Sequence, residues 1–430
     1  MHTSLAHFIR DTPDGIEAER ILRTCVHCGF CNATCPTYQL LGNELDGPRG
    51  RIYLIKQLLE GETSGASTLT HLDRCLTCRS CESTCPSGVE YGRLADIGRR
   101  VAEADIGRGA AQRLLRYMLR KVFANPTLTR AAFAMGRAVR PVLPRRLREQ
   151  VPPAAPPTSS NRRSGSDEPF TNTASRHVLL LAGCVQQVAT PQTNSAVERV
   201  LQHFGIETKV VAQAGCCGAI SHHLNAHEEA LNQMRRNIDA WSPALMAGAE
   251  AIVFSASGCG AVIKDYGYLL RGDPHYAERA ERVSALARDV SELLSEENMR
   301  PLAGASARPG ADMGNGTIAP DRNGPIAFHP PCSLQHGLKL NGTVEALLRA
   351  AGIELTTFAD PHLCCGSAGT YSILQSKLSE QLLEGKLHAI EQGQPAQIVT
   401  ANIGCQLHLQ RRAQVPVRHW IELIDERIAS

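Results

Sequence analysis

Apolar positions follow two different patterns in the two halves of the chain. Three segments before residue 125 have apolar residues at helical spacing, and we expect helices at 14–23, 50–59 and 113–122. From residue 177 onward, short apolar runs alternate with helical segments, which predicts small parallel α/β layers. The pattern as a whole predicts an α+β multidomain protein whose first part is mainly helical.

The α/β half contains an internal duplication. Matched cysteines of the two copies are 148, 148 and 146 residues apart: Cys184 and Cys332, Cys216 and Cys364, Cys259 and Cys405. Each copy also contains a Cys-Cys-Gly (CCG) triplet, at 216–218 and 364–366. Such regular offsets indicate that one unit has been duplicated.

Predicted strands and helices occupy equivalent places in both copies. The predicted strands are 177–182, 251–255, 326–329 and 397–401, with further strands that begin at Ile206 and Ile353. The predicted helices are 194–203, 228–239, 289–294, 343–350, 377–391 and 419–424. Because the carboxyl ends of parallel strands meet at one edge of a sheet, we expect the four cysteines of each copy to converge there.

Half of the sixteen cysteines form two copies of a more specific pattern, C-x2-C-x2-C-x3-C-P. The copies begin at Cys25 and Cys75, and each ends in a Cys-Pro pair. This spacing holds two [4Fe–4S] clusters in two-cluster ferredoxins, where the last cysteine of each copy binds the other cluster. The predicted ligand sets are therefore Cys25, Cys28, Cys31 and Cys85 for one cluster, and Cys75, Cys78, Cys81 and Cys35 for the other.

Zinc and disulfide bonds are the alternatives for this doubled motif. Zinc sites more often use separated pairs of C-x2-C. An intracellular chain keeps its thiols reduced, which argues against disulfides. We therefore favour two iron–sulfur clusters over both alternatives.

Length sets the domain organisation. At 430 residues the chain is too long for one hydrophobic core, and two or three domains are expected. The predicted divisions are a ferredoxin-like domain with two clusters at 1–100, a basic helical segment at 101–150, a linker at 151–176, a first CCG cysteine-rich repeat at 177–300, a linker at 301–324 and a second CCG cysteine-rich repeat at 325–430.

Charge and hydropathy exclude few function classes, but they indicate where in the cell the protein is located. The net charge of +3 is nearly neutral. The first twenty residues lack the apolar stretch of a signal peptide, and no apolar run reaches the roughly 18 residues of a membrane-spanning helix. We therefore expect a cytoplasmic protein.

The segment 108–148 is strongly basic, with eleven Arg or Lys residues and no Asp or Glu. Within it, one helical face carries Leu114, Leu115, Met118, Leu119 and Val122, and the mostly opposite face carries Arg113, Arg116, Arg120 and Lys121. Two interpretations are open. The helix packs on its own domain with a solvated basic face, or it forms a surface for anionic lipid or an acidic partner.

The repeat cysteines are candidate ligands of a third metal or cluster site. The two sets are Cys184, Cys216, Cys217 and Cys259, or Cys332, Cys364, Cys365 and Cys405. A disulfide between adjacent cysteines is strained, which favours an inorganic centre. Buried free thiols without a ligand are the alternative.

Three histidines lie near the repeat cysteines, and three arginines lie near the doubled motif. We favour structural residues with satisfied hydrogen bonds for the histidines, with metal ligands or proton carriers as the alternative: His329, His362 and His408. The arginines either raise the reduction potential of the clusters or are plain surface charges: Arg49, Arg51 and Arg79.

Together these features resemble the family of iron–sulfur subunits of bacterial glycolate oxidase over nearly the whole chain. The segments that carry the resemblance are CVHCGFCNATCPTYQLLGNELDGPRGRIYLIKQLLEG at 25–61 and HLDRCLTCRSCESTCPSGV at 71–89, followed by the two CCG repeats. Iron–sulfur subunits of anaerobic glycerol-3-phosphate dehydrogenase and proteins related to heterodisulfide reductase are similar more loosely. In heterodisulfide reductases the repeat ends in C-x2-C and helps to bind a non-cubane cluster. Cys259 and Cys405 have no such following cysteine, so each repeat here offers four thiols.

The resemblance implies an electron-transfer subunit of an oxidoreductase complex that converts glycolate to glyoxylate. It implies two [4Fe–4S] clusters, no FAD or NAD in this chain, and no catalytic residues of its own. The implied partners are an FAD-containing glycolate-oxidising subunit in a hetero-oligomer and quinone as electron acceptor, with peripheral contact at the cytoplasmic face of the inner membrane and no nucleic acid. The alternatives are the iron–sulfur subunit of another flavin dehydrogenase, of the glycerol-3-phosphate or lactate type, a redox enzyme like heterodisulfide reductase, or a non-redox iron–sulfur sensor.

Overall fold

The computed structural model describes residues 1–62, 65–142, 148, 151, 176–304 and 324–429. Within these residues, a helical N-terminal region is followed by two small layers of parallel strands and helices, as the apolar patterns predict. The two predicted linkers lie largely outside the described residues. None of the described helices is both long and apolar enough to cross a membrane.

The N-terminal region consists of short helices joined by loops. Its α-helices are α1 (Pro13–Thr24), α2 (Pro36–Leu41), α3 (Pro48–Leu59), α4 (Ala66–Asp73), α5 (Ser80–Thr84), α6 (Tyr91–Ile106), α7 (Ala110–Phe123) and α8 (Pro126–Val139). Proline begins α1, α2, α3 and α8, at a position where the backbone needs no amide donor. Thr12 caps α1, since its hydroxyl accepts a hydrogen bond from the Gly15 amide.

Apolar residues of α1, α3 and α6 form the core of this region. Leu22, Ile55 and Leu94 are fully buried there. Helices α3 and α6 pack closely at Gly98, where a Cβ atom would lie 2.5 Å from Cγ1 of Ile55. This packing fixes the two loops that carry the doubled cysteine motif, because one loop follows α1 and the other follows α4.

Helices α7 and α8 form a hairpin, and only part of the basic side chains in this segment face the rest of the protein. The Arg108 guanidinium lies 2.7 Å from the Asp73 carboxylate, and the Arg116 guanidinium lies 3.3 Å from it. The outward-facing apolar side chains are Leu114, Leu115, Tyr117, Met118, Leu128, Met135, Val139 and Val142. On the predicted basic face, Arg116 and Arg120 are therefore half-buried and paired, whereas Arg113 and Lys121 are exposed, so the interpretation of a solvated basic face applies only to the latter two. Helical periodicity separates the two faces, but carboxylates distant in sequence decide which face turns inward.

The first repeat is a four-stranded parallel sheet with helices around it. Its strands are β1 (Arg176–Leu180), β2 (Ile206–Lys209), β3 (Ala251–Phe254) and β4 (Ala287–Asp289), in the order β2-β1-β3-β4. Its α-helices are α9 (Gln186–Ala189), α10 (Pro191–His203), α11 (Ala219–His223), α12 (His227–Met246), α13 (Ser257–Lys264), α14 (Tyr266–Leu269), α15 (Ala277–Leu286) and α16 (Glu296–Met299). All four residues of β3 are buried, as expected for a central strand covered on both faces.

The second repeat has the same layout with one strand fewer. Its strands are β5 (Ile326–His329), β6 (Gln397–Thr400) and β7 (Val417–His419), in the order β5-β6-β7 and all parallel. Its α-helices are α17 (Thr343–Ala350), α18 (Tyr371–Leu374), α19 (Ser376–Glu391), α20 (Ile403–Gln410) and α21 (Trp420–Ile428). The strand predicted to begin at Ile353 is reduced to a single bridge between Ile326 and Leu355.

The closing segment of each repeat begins with a short strand that the sequence analysis does not predict. This three-residue strand ends at Asp289 or His419, and in the second repeat the predicted helix at 419–424 follows it as α21, Trp420–Ile428. In the first repeat a 3-10 turn, Val290–Leu293, then takes the place of the expected helix. Three residues are too few to show the alternation by which a strand is recognised.

The two repeats pack on one another through a shared apolar core. Helices α10 and α21 contact each other, and Val197 and Ile421 are fully buried in the cluster that joins the repeats. Polar contacts border this core: the Thr193 hydroxyl donates a 2.6 Å hydrogen bond to Glu422, and Arg199 pairs with Asp425. The duplicated units therefore form one body.

The N-terminal region contacts both repeats. Arg79 pairs with Asp265 of the first repeat at 2.6 Å. The Tyr371 hydroxyl of the second repeat donates a 3.1 Å hydrogen bond to the Arg74 carbonyl, next to the second cysteine loop. The loop that begins at Cys75 thus lies between the two repeats.

Candidate metal centres

The first cysteine loop and part of the second surround a small cavity. The cysteines that line it are Cys25, Cys28, Cys31, Cys81 and Cys85. The second loop lines a neighbouring cavity with Cys35, Cys75, Cys78 and Cys81. Each cavity therefore brings together three cysteines of one loop and the last cysteine of the other, and Cys81 borders both.

The two loops share an unusual backbone conformation. Residues two and four positions after the first cysteine have positive φ in both loops: His27 (61°) and Gly29 (88°), then Thr77 (53°) and Arg79 (60°). Left-handed backbone is costly for a β-branched residue such as Thr77. Here it turns the Thr77 amide towards the Cys75 sulfur, at 3.4 Å. Such tight loops direct several sulfur atoms and amides at one point.

The donor set of the first cavity fits an iron–sulfur cluster. Burial raises the pKa of the Cys31 thiol to about 11, and the Cys25 and Cys85 thiols act in the same direction. Thiolates so close together repel one another in a partly buried site. A cation at the centre of the cavity removes this penalty, and thiolate ligands are the ones that iron–sulfur clusters use.

Two buried arginines set the electrostatics of the second cavity. Burial acts to raise the pKa of the Cys75 thiol, but the Arg51 and Arg99 guanidinium groups outweigh it and lower the pKa below its ordinary value. Arg51 is almost completely buried and donates to the Thr37 hydroxyl, so it is not a surface charge. Arg99 donates a 2.6 Å hydrogen bond to the Cys75 carbonyl. Sequence reasoning missed Arg99. The signal that could have found it is its place on the buried face of α6.

One further buried side chain lies between the two cavities. Tyr91 is 4 % exposed and lines both of them. Sequence reasoning missed Tyr91 as well. Tyr91 begins α6, two residues after the buried Val89. How close the two cavities lie to this side chain is visible only in the folded structure.

The first repeat brings its four cysteines together at the carboxyl edge of its sheet. The Cys184 and Cys216 sulfur atoms are 3.6 Å apart. Hydrogen bonding with the Cys216 sulfur and burial raise the pKa of the Cys184 thiol. Cys217 interacts with both Cys216 and Cys259, so the four thiols form a continuous group. All sixteen cysteines of the chain, every one of which is described, carry free thiols.

The second repeat repeats this arrangement and adds a histidine. The Cys332 and Cys364 sulfur atoms are 3.9 Å apart, and Cys365 interacts with both Cys364 and Cys405. A ring nitrogen of His329 lies within 4.8 Å of the Cys365 and Cys405 sulfur atoms.

The three histidines near the repeat cysteines differ in their surroundings. His408 is a structural histidine, as interpreted: its ring nitrogens lie 3.2 Å from the Ser379 hydroxyl and 3.2 Å from the Arg411 guanidinium. His362 is half-buried. For His329 the interpretation of satisfied hydrogen bonds is wrong, since neither ring nitrogen has a hydrogen-bond partner among the described residues.

The cysteines of the second repeat adjoin the second cavity of the N-terminal region. Leu76, Cys364 and Tyr371 form one buried cluster, against which Cys78 and Cys332 pack. Cys78 is half-buried, and burial of its thiol together with the nearby Cys332 raises its pKa. The second cavity and the second repeat therefore share an apolar wall.

Comparison with protein-family models supports both parts of this picture. Residues 21–89 match the 4Fe-4S dicluster domain. Residues 178–264 and 326–410 each match the cysteine-rich domain. The matched ranges include the two cysteine loops and all eight cysteines of the repeats.

Several curated proteins are similar to the chain over long stretches. The glycolate oxidase iron-sulfur subunit of Escherichia coli (strain K12) is 49 % identical over 428 residues, which cover 100 % of this chain and 99 % of that protein. The probable glycolate oxidase iron-sulfur subunit of Bacillus subtilis (strain 168) is 29 % identical over 90 % of this chain and 88 % of its own length. Lactate utilization protein A of Geobacillus kaustophilus is 25 % identical over 58 % of this chain and 99 % of its own length.

Proposed function

Since the chain belongs to the family of glycolate oxidase iron–sulfur subunits, we propose that it carries electrons within a complex that oxidises glycolate to glyoxylate. An FAD-containing subunit supplies the electrons, and quinone receives them. The observation that carries the proposal is the pair of adjacent cavities, each lined by three cysteines of one loop and the fourth of the other.

The proposed ligands follow the cavity linings. Cys25, Cys28, Cys31 and Cys85 hold one [4Fe–4S] cluster, and Cys75, Cys78, Cys81 and Cys35 hold the other. When bound, such clusters accept and release single electrons. The buried Arg51 and Arg99 place positive charge beside the second cavity, which stabilises a more reduced state there. Tyr91 fills the space between the two cavities and excludes water from it.

Electrons enter at the first cavity, because its loop is the more exposed of the two. Cys28 is exposed, and the apolar Val26 and Phe30 on either side of it are 66 % and 63 % exposed. Exposed apolar side chains around a redox centre favour a protein partner. We assign this surface to the FAD-containing subunit, since the second cavity is enclosed by the second repeat.

The α7–α8 hairpin contacts an anionic membrane surface at the cytoplasmic face of the inner membrane. Its outward face carries Leu114, Tyr117 and Met118, at the spacing of one helical stripe. Basic residues also reach solvent from the hairpin: Arg113, Lys121, Arg130 and Arg140. Apolar residues bordered by basic ones, with no acidic residue in 108–148, complement a bilayer with anionic head groups.

A reconstitution assay tests the function. Anaerobically purified chain is expected to hold about eight iron atoms in the two N-terminal clusters. Alone it oxidises no glycolate, and together with the FAD-containing subunit it reduces a quinone analogue when glycolate is added. Stoichiometric zinc without iron, or glycolate turnover by the isolated chain, contradicts the proposal.

One second candidate has support from the comparisons. Lactate utilization proteins are similar to part of the chain, so lactate is the competing substrate. The same assay separates the two, because the FAD-containing subunit selects the 2-hydroxy acid. Reduction of the quinone analogue with lactate but not with glycolate favours the second candidate.

A further inference from the structure

We propose that His329 is a metal ligand, and that the second repeat holds an iron centre bound by imidazole and thiolates that the first repeat does not form. The ligand group consists of His329, Cys365 and Cys405, next to Cys332 and Cys364. The proposal rests on the proposed function in one respect: the centre extends the electron path beyond the second N-terminal cluster.

The fold places the three ligand atoms at one point. His329 is the last residue of β5, and Cys405 lies in the first turn of α20, directly after β6. Cys365 belongs to the CCG triplet that reaches the same sheet edge. The His329 nitrogen and the two sulfur atoms all lie within 4.8 Å of one another, and all three residues are buried.

His329 has no other explanation in its surroundings. The residue is completely buried, yet neither ring nitrogen has a hydrogen-bond partner among the described residues. A buried polar group without a partner costs free energy, so natural structures rarely keep one without a reason. His419 shows the ordinary case: it is also completely buried, but it contacts the Ser255 carbonyl at 2.9 Å and accepts from the Ile421 amide at 3.2 Å.

The two repeats differ at this position. Three residues before its first cysteine, the second repeat has His329, whereas the first repeat has Leu181. Leu181 is buried among apolar side chains. The cysteines are duplicated, but the histidine is not, and this assigns the nitrogen ligand to the second repeat alone.

The chemistry of the donor set points to iron. Imidazole and thiolate together suit copper, iron and zinc. Iron is the choice that fits the position, because Cys332 and Cys364 pack against Cys78 of the second N-terminal cavity, whose cysteine spacing is that of iron–sulfur proteins. A redox-inactive ion at that place would end the electron path.

The test uses the full chain, purified anaerobically with 15N-labelled histidine. Its readouts are iron content and pulsed electron paramagnetic resonance. We expect iron in excess of the roughly eight atoms of the two cubanes, and a strong coupling to a directly bound histidine nitrogen. Absence of that coupling in a sample that contains the excess iron overturns the proposal, and so does zinc in place of the excess iron.

Three variants separate ligation from packing. His329→Leu copies the first repeat, and we expect it to lose the nitrogen coupling and the excess iron while it keeps the two cubane signals. His329→Cys is expected to keep the iron, to lose the coupling, and to lower the reduction potential of this centre, since imidazole ligands raise potentials relative to thiolate. His419→Gln is the matched control and is expected to leave coupling and iron unchanged.

The outcomes distinguish this proposal from the proposed function. If His329→Leu keeps the excess iron and the nitrogen coupling, His329 is not a ligand, whatever the chain does with glycolate. If the coupling is present but glycolate and the FAD-containing subunit reduce no cluster, the metal site stands and the proposed function fails. If His329→Leu does not fold, the His329→Cys variant decides the question. A nitrogen coupling that is retained in His329→Cys cannot come from His329, and it would show that His329 is not the ligand.

Discussion

The apolar face of the α7–α8 hairpin gives the sharpest prediction for membrane contact. Replacement of Leu114, Leu115 and Met118 by Gln removes three apolar side chains from that face. They are 62 %, 43 % and 49 % exposed, so they make few contacts within the chain. We therefore expect the triple variant to fold and to retain its clusters.

The magnitude follows from the exposed area. Together the three exposed fractions amount to roughly one and a half fully exposed side chains, and each contributes about 1.5–3 kcal/mol when it is buried. Transfer to a bilayer interface is then weakened by about 3 kcal/mol. This corresponds to an approximately 100-fold lower partition onto vesicles.

Flotation with anionic vesicles measures this partition. The matched control replaces Ile16 and Met246 by Gln, which are 62 % and 73 % exposed but lie outside the hairpin. We expect that control to bind like the wild type. Unchanged vesicle binding of the triple variant refutes the membrane assignment, and loss of binding to the FAD-containing subunit instead identifies that subunit as the occupant of the face.

Charge reversal on the inward face is a poorer test of the same idea. Arg116 and Arg120 pair with Asp73 and Glu229, so Arg116→Glu or Arg120→Glu places two carboxylates together and disturbs packing. Arg113 is exposed and gives a cleaner variant. Arg113→Glu is expected to weaken vesicle binding at low salt by about 2 kcal/mol, since it removes one positive charge and adds one negative charge, and by less as salt increases.

Three further predictions concern the N-terminal region. Arg51→Gln is expected to lower the reduction potential of the second cluster by on the order of 50–100 mV in a redox titration, because a unit charge nearby acts through an effective dielectric of about 20. An unchanged potential contradicts a role of Arg51 in tuning that potential. Gly98→Ala is expected to destabilise the region by about 1–3 kcal/mol in chemical denaturation, since the new Cβ atom meets Ile55 at 2.5 Å; wild-type stability shows that α3 and α6 separate at little cost. Phe30→Asp is expected to weaken binding of the FAD-containing subunit at least tenfold in an affinity measurement, about 1.4 kcal/mol, with iron content unchanged; wild-type affinity places the partner elsewhere.

Much of the fold is predictable from the sequence, because its signals are local. Strand β5 and helix α17 lie where the apolar pattern places them, at Ile326–His329 and Thr343–Ala350. The three-residue strands β4 and β7 escape prediction, since their pairing with β3 and β6 depends on residues far away in sequence. The same limit applies to the hairpin, whose inward face is selected by Asp73 and Glu229.

The candidate site is likewise predictable from the sequence only in part. Cysteine spacing predicts which sulfur atoms meet, since the loops impose that geometry locally. The surroundings of those sulfur atoms are not local: Arg51 lines the second cavity from α3, and Arg99 reaches the Cys75 carbonyl from α6. His329 resembles any strand-end histidine until its lack of hydrogen-bond partners is visible in the folded structure.

Rapid-freeze electron paramagnetic resonance of the anaerobic complex tests the central claim most directly. The chain and the FAD-containing subunit are mixed, glycolate is added, and the sample is frozen within one turnover. We expect glycolate to generate the signals of reduced [4Fe–4S] clusters in this chain, and Cys28→Ser to remove one of the two signals. Clusters that dithionite reduces but glycolate does not, with the FAD-containing subunit present and active, would contradict an electron-transfer role in glycolate oxidation.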